Sequence, residues 1–351
     1  MKSILFGALS ACLLAGIPVW ASEDCIDFNP ATVQASLVNG TWKIVDGSMW
    51  MLDFGTGATG QANASKAKNV IQHYGFDQQC FVGRPNAPMM YFKIAGGRFP
   101  QGSFPGQDAI PVNPYAVSAQ EVGGRWKVLD CSSYLLDFGT GAASQANATA
   151  AANLIRDNHL REQCFVGRPN APMMYFLQDT AYRPYASLGV TLRPQQTDNW
   201  CWAASGQMTM EFLGKFVTQC TEANNRFGRT DCCDGSSCPM PNCDSGGWPE
   251  YPKYGFSAST TSSAALSWDE LWSQINCRQD PVAFSWAWTG GGGHMMVVRG
   301  LQIQGDGTRM VQINDPWSPC VGNTRWISYD AYVQQAGSYT HWNDYYNITK
   351  N

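Results

Sequence analysis

The 351-residue sequence is poor in charged residues and in histidine. Asp, Glu, Lys and Arg together make up 14% of the chain, four histidines occur, and the formal net charge is -4. A weakly acidic chain lacks the basic surface that holds phosphate groups, so nucleic acid and anionic membranes are excluded as main partners. With four histidines, the search for a catalytic imidazole is short.

Long apolar runs are missing after the N-terminus. Residues 4–19 are largely apolar, and Val19-Trp20-Ala21 places small residues where a signal peptidase cuts. We interpret residues 1–21 as a secretory signal peptide, with a lipidation box at Leu9-Ser10-Ala11-Cys12 as the alternative. No later run reaches the roughly 18–20 apolar residues of a membrane span, so we expect a secreted protein, extracellular or periplasmic, with no membrane span.

Cysteine, by contrast, is abundant. Of the thirteen cysteines, twelve lie after residue 21. Such a count is typical of an exported chain whose disulfides persist in an oxidising compartment. Twelve is an even number, so the count alone does not separate structural cysteines from reactive ones.

The front half of the chain contains an internal repeat at an offset of 84 residues. WKIVDGSMWMLDFGTGATGQANAS from Trp42 matches the segment from Trp126, and QCFVGRPNAPMMYF occurs at both 79–92 and 163–176. The alternating and alanine-rich patterns predict two small ββαββ modules. We place module 1 at 22–95, a Gly/Pro-rich linker at 96–112, module 2 at 113–180 and a C-terminal domain at 181–351.

The two modules differ in their cysteines. Cys80 and Cys164 are equivalent, but Cys131 aligns with Gly47, and Cys25 precedes the first matching segment. The simplest pairing joins Cys25 to Cys80 and Cys131 to Cys164, which gives each module one disulfide.

Two arginines and two aspartates recur at equivalent places in the modules: Arg84, Arg168, Asp53 and Asp137. One interpretation is a ligand site presented twice, and the other is that these side chains brace turns. We hypothesise that the modules bind a surface or a carbohydrate ligand, or hold the rest of the protein latent.

The C-terminal part contains the segment QQTDNWCWAAS, residues 195–205. Cys201 begins a stretch predicted to be a helix buried on one side. A helix N-terminus favours the thiolate of a cysteine, which is the reactive form. We expect Trp200 and Trp202 to pack around this site.

His294 is the preferred base, because it follows four glycines and begins the predicted strand HMMVVRGL. The other histidines, His73, His159 and His341, lie in less suitable contexts. Downstream, the predicted strand MVQIND ends at Asn314-Asp315, where either side chain could accept the imidazole N–H. Neighbours on a strand point to opposite faces, so the sequence leaves the choice between Asn314 and Asp315 open.

Four segments in this order resemble the papain-like cysteine peptidases. They are Gln195, CWAAS around Cys201, GGHMMVV around His294 and NDPW around Asp315. The resemblance covers residues 188–350 and is strongest to a bacterial secreted branch similar to plant-pathogen effector proteases and bacteriocin-processing peptidases. It implies an α+β fold in which an N-terminal catalytic helix packs on an antiparallel sheet.

The resemblance also implies roles. Cys201 would be the nucleophile, His294 the base and Asp315 its orienter, with Asn314 as the alternate. Gln195 and the backbone N–H of Cys201 would form the oxyanion hole, with Gln196 as the fallback. The implied substrate is a protein or peptide, and no cofactor or metal is expected.

The predicted function is therefore that of a secreted cysteine endopeptidase that hydrolyses peptide bonds through a thioester acyl-enzyme. One alternative is a thiol acyltransferase or amidase that uses the same three groups. The other is a non-catalytic, adhesin-like binding protein in which the repeats carry the function.

A cysteine-rich insert at 220–243 departs from the papain pattern. Its five cysteines lack the paired CxxC spacing of structural zinc sites, so we predict disulfides rather than zinc. If Cys201 is free, eleven cysteines remain after residue 21, and this odd number predicts a second free thiol.

Overall fold

We describe a computed structural model that covers residues 24–84, 87–233, 237–240 and 242–351. The predicted signal peptide lies outside the described residues. The chain divides into two compact units. Unit 1 comprises 24–112, Ser118–Leu129 and Tyr134–Gln178, and unit 2 comprises Asn113–Val117, Asp130–Ser133 and Asp179–Asn351. Both units mix helices with antiparallel sheets, so the chain is of the α+β class.

The sheets of unit 1 are small and three-stranded. Their orders are β2-β3-β4, β8-β9-β10, β1-β5-β6 and β12-β11-β7. The strands are β1 (Asp24–Asp27), β2 (Gln34–Val38), β3 (Thr41–Asp46), β4 (Met49–Asp53), β5 (Gln78–Val82), β6 (Met89–Lys93), β7 (Asp108–Pro111), β8 (Val117–Val122), β9 (Arg125–Asp130), β10 (Ser133–Gly139), β11 (Leu160–Val166) and β12 (Met173–Gln178). The helices are α1 (Gly57–Tyr74) and α2 (Ala142–Asp157).

Each repeat therefore has two strands more than the predicted ββαββ pattern. β1 and β2 precede the first matching segment, and β7 and β8 stand at the equivalent places 84 residues later. Within the segment predicted to be a linker, β7 pairs with β11. These strands are short and half-exposed, so their apolar alternation is weak in the sequence.

The two repeats share one core. The buried face of α1, with Ala67 and Val70, packs both on Ile44 of its own repeat and on Val166 and Tyr175 of the other. Neither copy encloses its apolar surface alone, which gives a physical reason for the duplication.

The cysteines of unit 1 confirm one predicted disulfide and correct the other. Cys25 and Cys80 are bonded across β1 and β5. Cys164 is a buried free thiol, because the residue opposite it in the equivalent register is Ala109. The predicted Cys131–Cys164 bond is wrong: Cys131 lies in a turn assigned to unit 2 and is bonded to Cys277.

The repeated arginines do not meet the aspartates with which the sequence suggested they share a site. Arg84 pairs with Asp24 at 3.1 Å, and Arg168 pairs with Asp108 at 3.2 Å. Asp53 instead accepts the backbone N–H of Gly55 at 2.9 Å. The arginines thus brace β1 and β7, and the aspartates brace the turns after β4 and β10.

Unit 2 is built around a large antiparallel sheet. Its main order is β14-β20-β15-β16-β17-β18, with β13 beside β16 and β19 beside β20. The strands are β13 (Tyr185–Ser187), β14 (Phe256–Thr260), β15 (Val282–Trp288), β16 (Gly293–Ile303), β17 (Arg309–Asp315), β18 (Asn323–Ser328), β19 (Gln334–Gln335) and β20 (Tyr339–Lys350). The helices are α3 (Cys201–Phe212), α4 (Gln219–Phe227), α5 (Trp268–Trp272) and α6 (Tyr329–Val333), with a 3₁₀ turn at Tyr251–Tyr254 and a π turn at Ser273–Arg278.

α3 is the central helix of unit 2. Met208 joins the core formed with β15 and β16, Ala203 packs on α4, and Met210 packs on Tyr251. Every residue from Trp202 to Met210 is buried, so the prediction of a helix buried on one side is wrong. Its small residues, among them Ala203, Ala204 and Gly206, allow neighbours to approach it on all sides.

All five cysteines of the insert are disulfide-bonded. The bonds are Cys220–Cys233, Cys232–Cys243 and Cys238–Cys320. The disulfide prediction for the insert is therefore confirmed. Five disulfides occur among the described residues, and no helix there is long and apolar enough to cross a membrane; both findings are consistent with an extracellular protein.

Candidate active site

Cys201 is the first residue of α3 and a free thiol at the surface of a cleft. The first hydrogen bond within the helix joins Ala204 N–H to the carbonyl of Trp200 at 2.9 Å. The backbone N–H groups of the first turn therefore have no acceptor within the helix and point toward the thiol end. This is the position where a helix stabilises a thiolate or a developing oxyanion.

His294 lies between Cys201 and Asp315. It is the second residue of β16, and its Nε2 is 2.7 Å from Asp315 Oδ1 at the end of β17. The imidazole also hydrogen-bonds to the Cys201 thiol. Because Nε2 faces the carboxylate, Nδ1 is the nitrogen available to the sulfur.

The surroundings of His294 favour its charged form. Burial alone lowers the pKa of this imidazole, but hydrogen bonds and charge attraction from Asp315 and Cys201 outweigh burial and raise the pKa from 6.5 to about 9. Burial raises the pKa of Asp315, but its contacts with His294 and Arg325 lower it below the usual 3.8. The imidazole therefore stays protonated, beside a carboxylate that stays ionised, at neutral pH.

The structure brings Asp315, and not Asn314, to His294. Asp315 also accepts the backbone N–H of Trp317 at 3.0 Å and Arg325 Nη2 at 2.8 Å. Asn314 faces the other side of β17, where its amide donates to the Val190 carbonyl at 3.0 Å. The alternation of neighbouring side chains on a strand separates the two candidates.

Gln195 lies near the nucleophile in sequence but does not reach into the cleft. It is fully buried, and its Nε2 donates to the carbonyls of Thr197 at 2.9 Å and Asp198 at 2.7 Å. Gln196 is half-buried and lies outside the residues that line the cleft. In this conformation neither glutamine presents a side-chain N–H beside Cys201, contrary to the oxyanion-hole prediction.

The cleft has a volume of about 840 Å³. Cys201, His294 and Asp315 all line it. The sequence analysis missed the rest of its wall: Asp198, Asn199, Arg226, Gly246, Gly247, Trp248, Ser285, Trp286, Trp288, Gly292, Gly293, Met295, Trp317, Arg325 and Trp342. A Gly-Gly-Trp run after the insert was the one local signal, because paired glycines allow a close backbone approach.

The segment after the insert forms the wall beside the nucleophile. The indole N–H of Trp200 donates to the Cys243 carbonyl at 2.8 Å, and that of Trp202 donates to the Ser245 carbonyl at 3.2 Å. Asp244 Oδ1 accepts the backbone N–H of Asn199 at 2.8 Å. The two tryptophans thus connect the start of α3 to the disulfide-bonded insert.

Residues 185–336 match the sequence model of a family described as papain-like cysteine protease AvrRpt2. This match spans α3, the insert and the strands that carry His294 and Asp315. The protein is a cysteine peptidase. No curated protein matches the chain. For this cysteine peptidase, the family match favours hydrolysis by a thiol over the alternative of a non-catalytic binding protein.

Proposed function

We propose that the protein is a secreted endopeptidase that cleaves peptide bonds through a thioester at Cys201. The observation that carries the proposal is the position of His294, which contacts Asp315 at 2.7 Å on one side and the Cys201 thiol on the other, at the wall of one cleft. A free cysteine with an imidazole oriented by a carboxylate is the arrangement of an activated nucleophile.

The proposed reaction has two steps. The Cys201 thiolate attacks the peptide carbonyl carbon, the C–N bond breaks, and His294 gives its proton to the leaving amine. Water then gives a proton to His294 and its oxygen to the acyl group, and breakage of the C–S bond restores the thiol and releases a carboxylic acid. Backbone N–H groups at the start of α3 lie where the negative oxygen develops.

The size of the cleft supports an endopeptidase acting on an extended peptide. A volume of about 840 Å³ is near the upper end for small-molecule pockets and suits several substrate residues beside the thiol. Five tryptophans line the cleft: Trp248, Trp286, Trp288, Trp317 and Trp342. Aromatic side chains give large contact areas for apolar substrate residues.

The test is alkylation of the native, non-reduced protein with iodoacetamide, followed by peptide mapping and an assay on denatured protein substrates. Cys201 is expected to react rapidly with loss of activity, whereas the fully buried Cys164 serves as an internal control and stays unmodified. Finding Cys201 in a disulfide, or activity that survives its alkylation, contradicts the proposal. Incorporation of one ¹⁸O atom from labelled water into the new carboxyl group distinguishes hydrolysis from acyl transfer.

For the repeats, we propose binding to a carbohydrate surface through two equivalent aromatic side chains. Trp50 and Tyr134 are separated by the repeat offset of 84 residues and are 59% and 57% exposed. Lys43 Nζ lies 4.6 Å from the Trp50 ring centre, and Lys127 Nζ lies 6.0 Å from that of Tyr134. Two exposed rings beside hydrogen-bonding groups suit a polymer of repeating sugars, because two weak contacts on one chain reinforce each other.

Sedimentation of the full chain with insoluble chitin and with purified peptidoglycan tests this second proposal. Trp50→Ala combined with Tyr134→Ala is expected to abolish cosedimentation, and each single change is expected to weaken it. Phe216→Ala, which removes a 61% exposed aromatic from unit 2, is the matched control. Lack of binding by the unaltered protein to either polysaccharide overturns the proposal.

A further inference from the structure

Gln195 joins the segment that leads to the nucleophile to the segment that follows the orienter. Its backbone N–H donates to the Pro316 carbonyl at 3.1 Å, and its carbonyl accepts the N–H of Cys320 at 2.9 Å. Pro316 comes directly after Asp315, and Gln195 lies six residues before Cys201. One residue is therefore paired on both sides with the loop that holds Asp315.

The side chain of Gln195 continues this connection toward Cys201. Its Nε2 donates to the carbonyls of Thr197 and Asp198, so the amide N–H groups are used within the loop that begins α3. A flipped amide would direct Oε1 at these two carbonyl oxygens, which is repulsive. The side chain is fully buried and lies outside the residues that line the cleft, so its orientation is set by the loop.

A disulfide closes this arrangement from the outside. The backbone N–H of Met240 in the insert donates to the Gln196 carbonyl at 2.7 Å. Two residues before Met240, Cys238 is bonded to Cys320 of the loop after Asp315. The segment 195–196 is therefore enclosed between the insert and the orienter loop, and these two are covalently joined.

We propose that Gln195 is a positioning residue that sets the distance between Cys201 and His294, and that its side chain does not donate to the oxyanion. The amide holds the loop of Thr197 and Asp198, while the backbone holds the loop that begins at Pro316. The oxyanion is then served by backbone N–H groups at the start of α3, among them that of Cys201. The inference rests on the proposed function, because it assumes that Cys201 and His294 react together.

Two rates separate a positioning residue from an oxyanion donor. Alkylation of Cys201 by iodoacetamide depends on the pairing of the thiol with His294 but develops no oxyanion on a carbonyl, whereas peptide hydrolysis requires both. In Gln195→Met, which keeps the side-chain length without the amide, we expect both kcat/KM and the alkylation rate to fall by about 10²-fold. The pH profile of alkylation is expected to shift as well, because the contact between His294 and Cys201 changes.

The control is Gln274→Met, which removes another buried amide of unit 2. Gln274 donates to Asn347 at 2.8 Å, and it lies outside the cleft, so this change is expected to leave both rates unaltered. A Cys238→Ser/Cys320→Ser variant keeps the Gln195 side chain and removes only the covalent closure. It is expected to lower both rates in the same direction, and it keeps the proposal testable if Gln195→Met does not fold.

The outcomes are distinct. A fall of kcat/KM by about 10²–10³-fold with unchanged alkylation identifies Gln195 as an oxyanion donor and overturns the inference. Unchanged rates for both quantities also overturn it. If unaltered protein that is alkylated at Cys201 keeps its activity, the proposed function itself fails, irrespective of the Gln195 variants.

Discussion

Two histidine–aspartate pairs lie in the large sheet of unit 2, and only one of them faces the cleft. His294 Nε2 is 2.7 Å from Asp315, and His341 Nε2 is 3.0 Å from Asp344. The second ring nitrogen of His294 meets the thiol of Cys201, whereas Nδ1 of His341 is 3.0 Å from the backbone carbonyl of Tyr332.

The comparison shows that a short contact between imidazole and carboxylate does not by itself make a catalytic pair. Asp344 is fully buried and also accepts the hydroxyl of Tyr332 and the backbone N–H of Leu266, so its pair connects three segments of the fold. Asp315 also accepts Arg325, which is 40% exposed at the cleft. The chemistry follows from access and from the group on the far side of the ring.

The largest expected effect is at the nucleophile and base. Cys201→Ala and His294→Ala are each expected to lower kcat/KM by about 10⁴-fold or more, because each removes an essential part of the same unit. The double variant is expected to be no worse than either single one. Purified proteins with unchanged melting temperatures, assayed on a peptide amide, check this. Substantial residual activity in either single variant would remove that residue from the mechanism.

A smaller effect is expected at the orienter. Asp315→Asn removes contacts that raise the pKa of His294 to about 9, so that pKa falls and the alkaline limit of activity moves from near pH 9 to lower pH. We expect kcat to fall by about 10²–10⁴-fold. The measurement is kcat/KM against pH for both proteins, and an unmoved alkaline limit would contradict the assigned contact.

The sealed pair is expected to affect stability instead of chemistry. His341→Gln disrupts the buried contact with Asp344, so the free energy of unfolding is expected to fall by about 3 kcal/mol. Denaturant titration measures this, while kcat/KM measured well below the melting temperature should stay within about twofold. A large loss of activity in a folded His341→Gln protein would break the distinction between the two pairs.

The smallest effect is expected for Arg325→Met. Arg325 is one of the groups that lower the pKa of Asp315, so this change raises that pKa and moves the acid limit of activity to higher pH. The effect on kcat/KM near pH 7 is expected to be only a few-fold, because the arginine is partly exposed and its charge is screened. A pH series at low and high salt checks both points.

Much of the site was predictable from local patterns. Cys201 was set apart by its place at the start of a helix, His294 by the glycines before a strand, and Asp315 by the end of the next strand. The resemblance of these segments to papain-like peptidases, in that order, gave their expected roles. The spacing between Cys25 and Cys80 likewise suggested the correct disulfide.

What failed depended on long-range contacts. Cys131 appeared to belong with Cys164, but its turn is assigned to unit 2, where Cys277 is its partner. The wall formed by Gly246, Gly247 and Trp248 had no chemical signature beyond paired glycines. Such residues become functional through their position beside Cys201, which no local pattern encodes.

The sequence by itself determined the repeat, the abundance of cysteine and a short set of candidate nucleophiles and bases, because these are properties of residue type and spacing. Only the tertiary structure decided that Asp315 and not Asn314 meets His294, because strand alternation sends neighbouring side chains to opposite faces and pairing fixes which face is which. It also decided that the Gln195 amide faces its own loop, because hydrogen bonds to buried carbonyls hold it there.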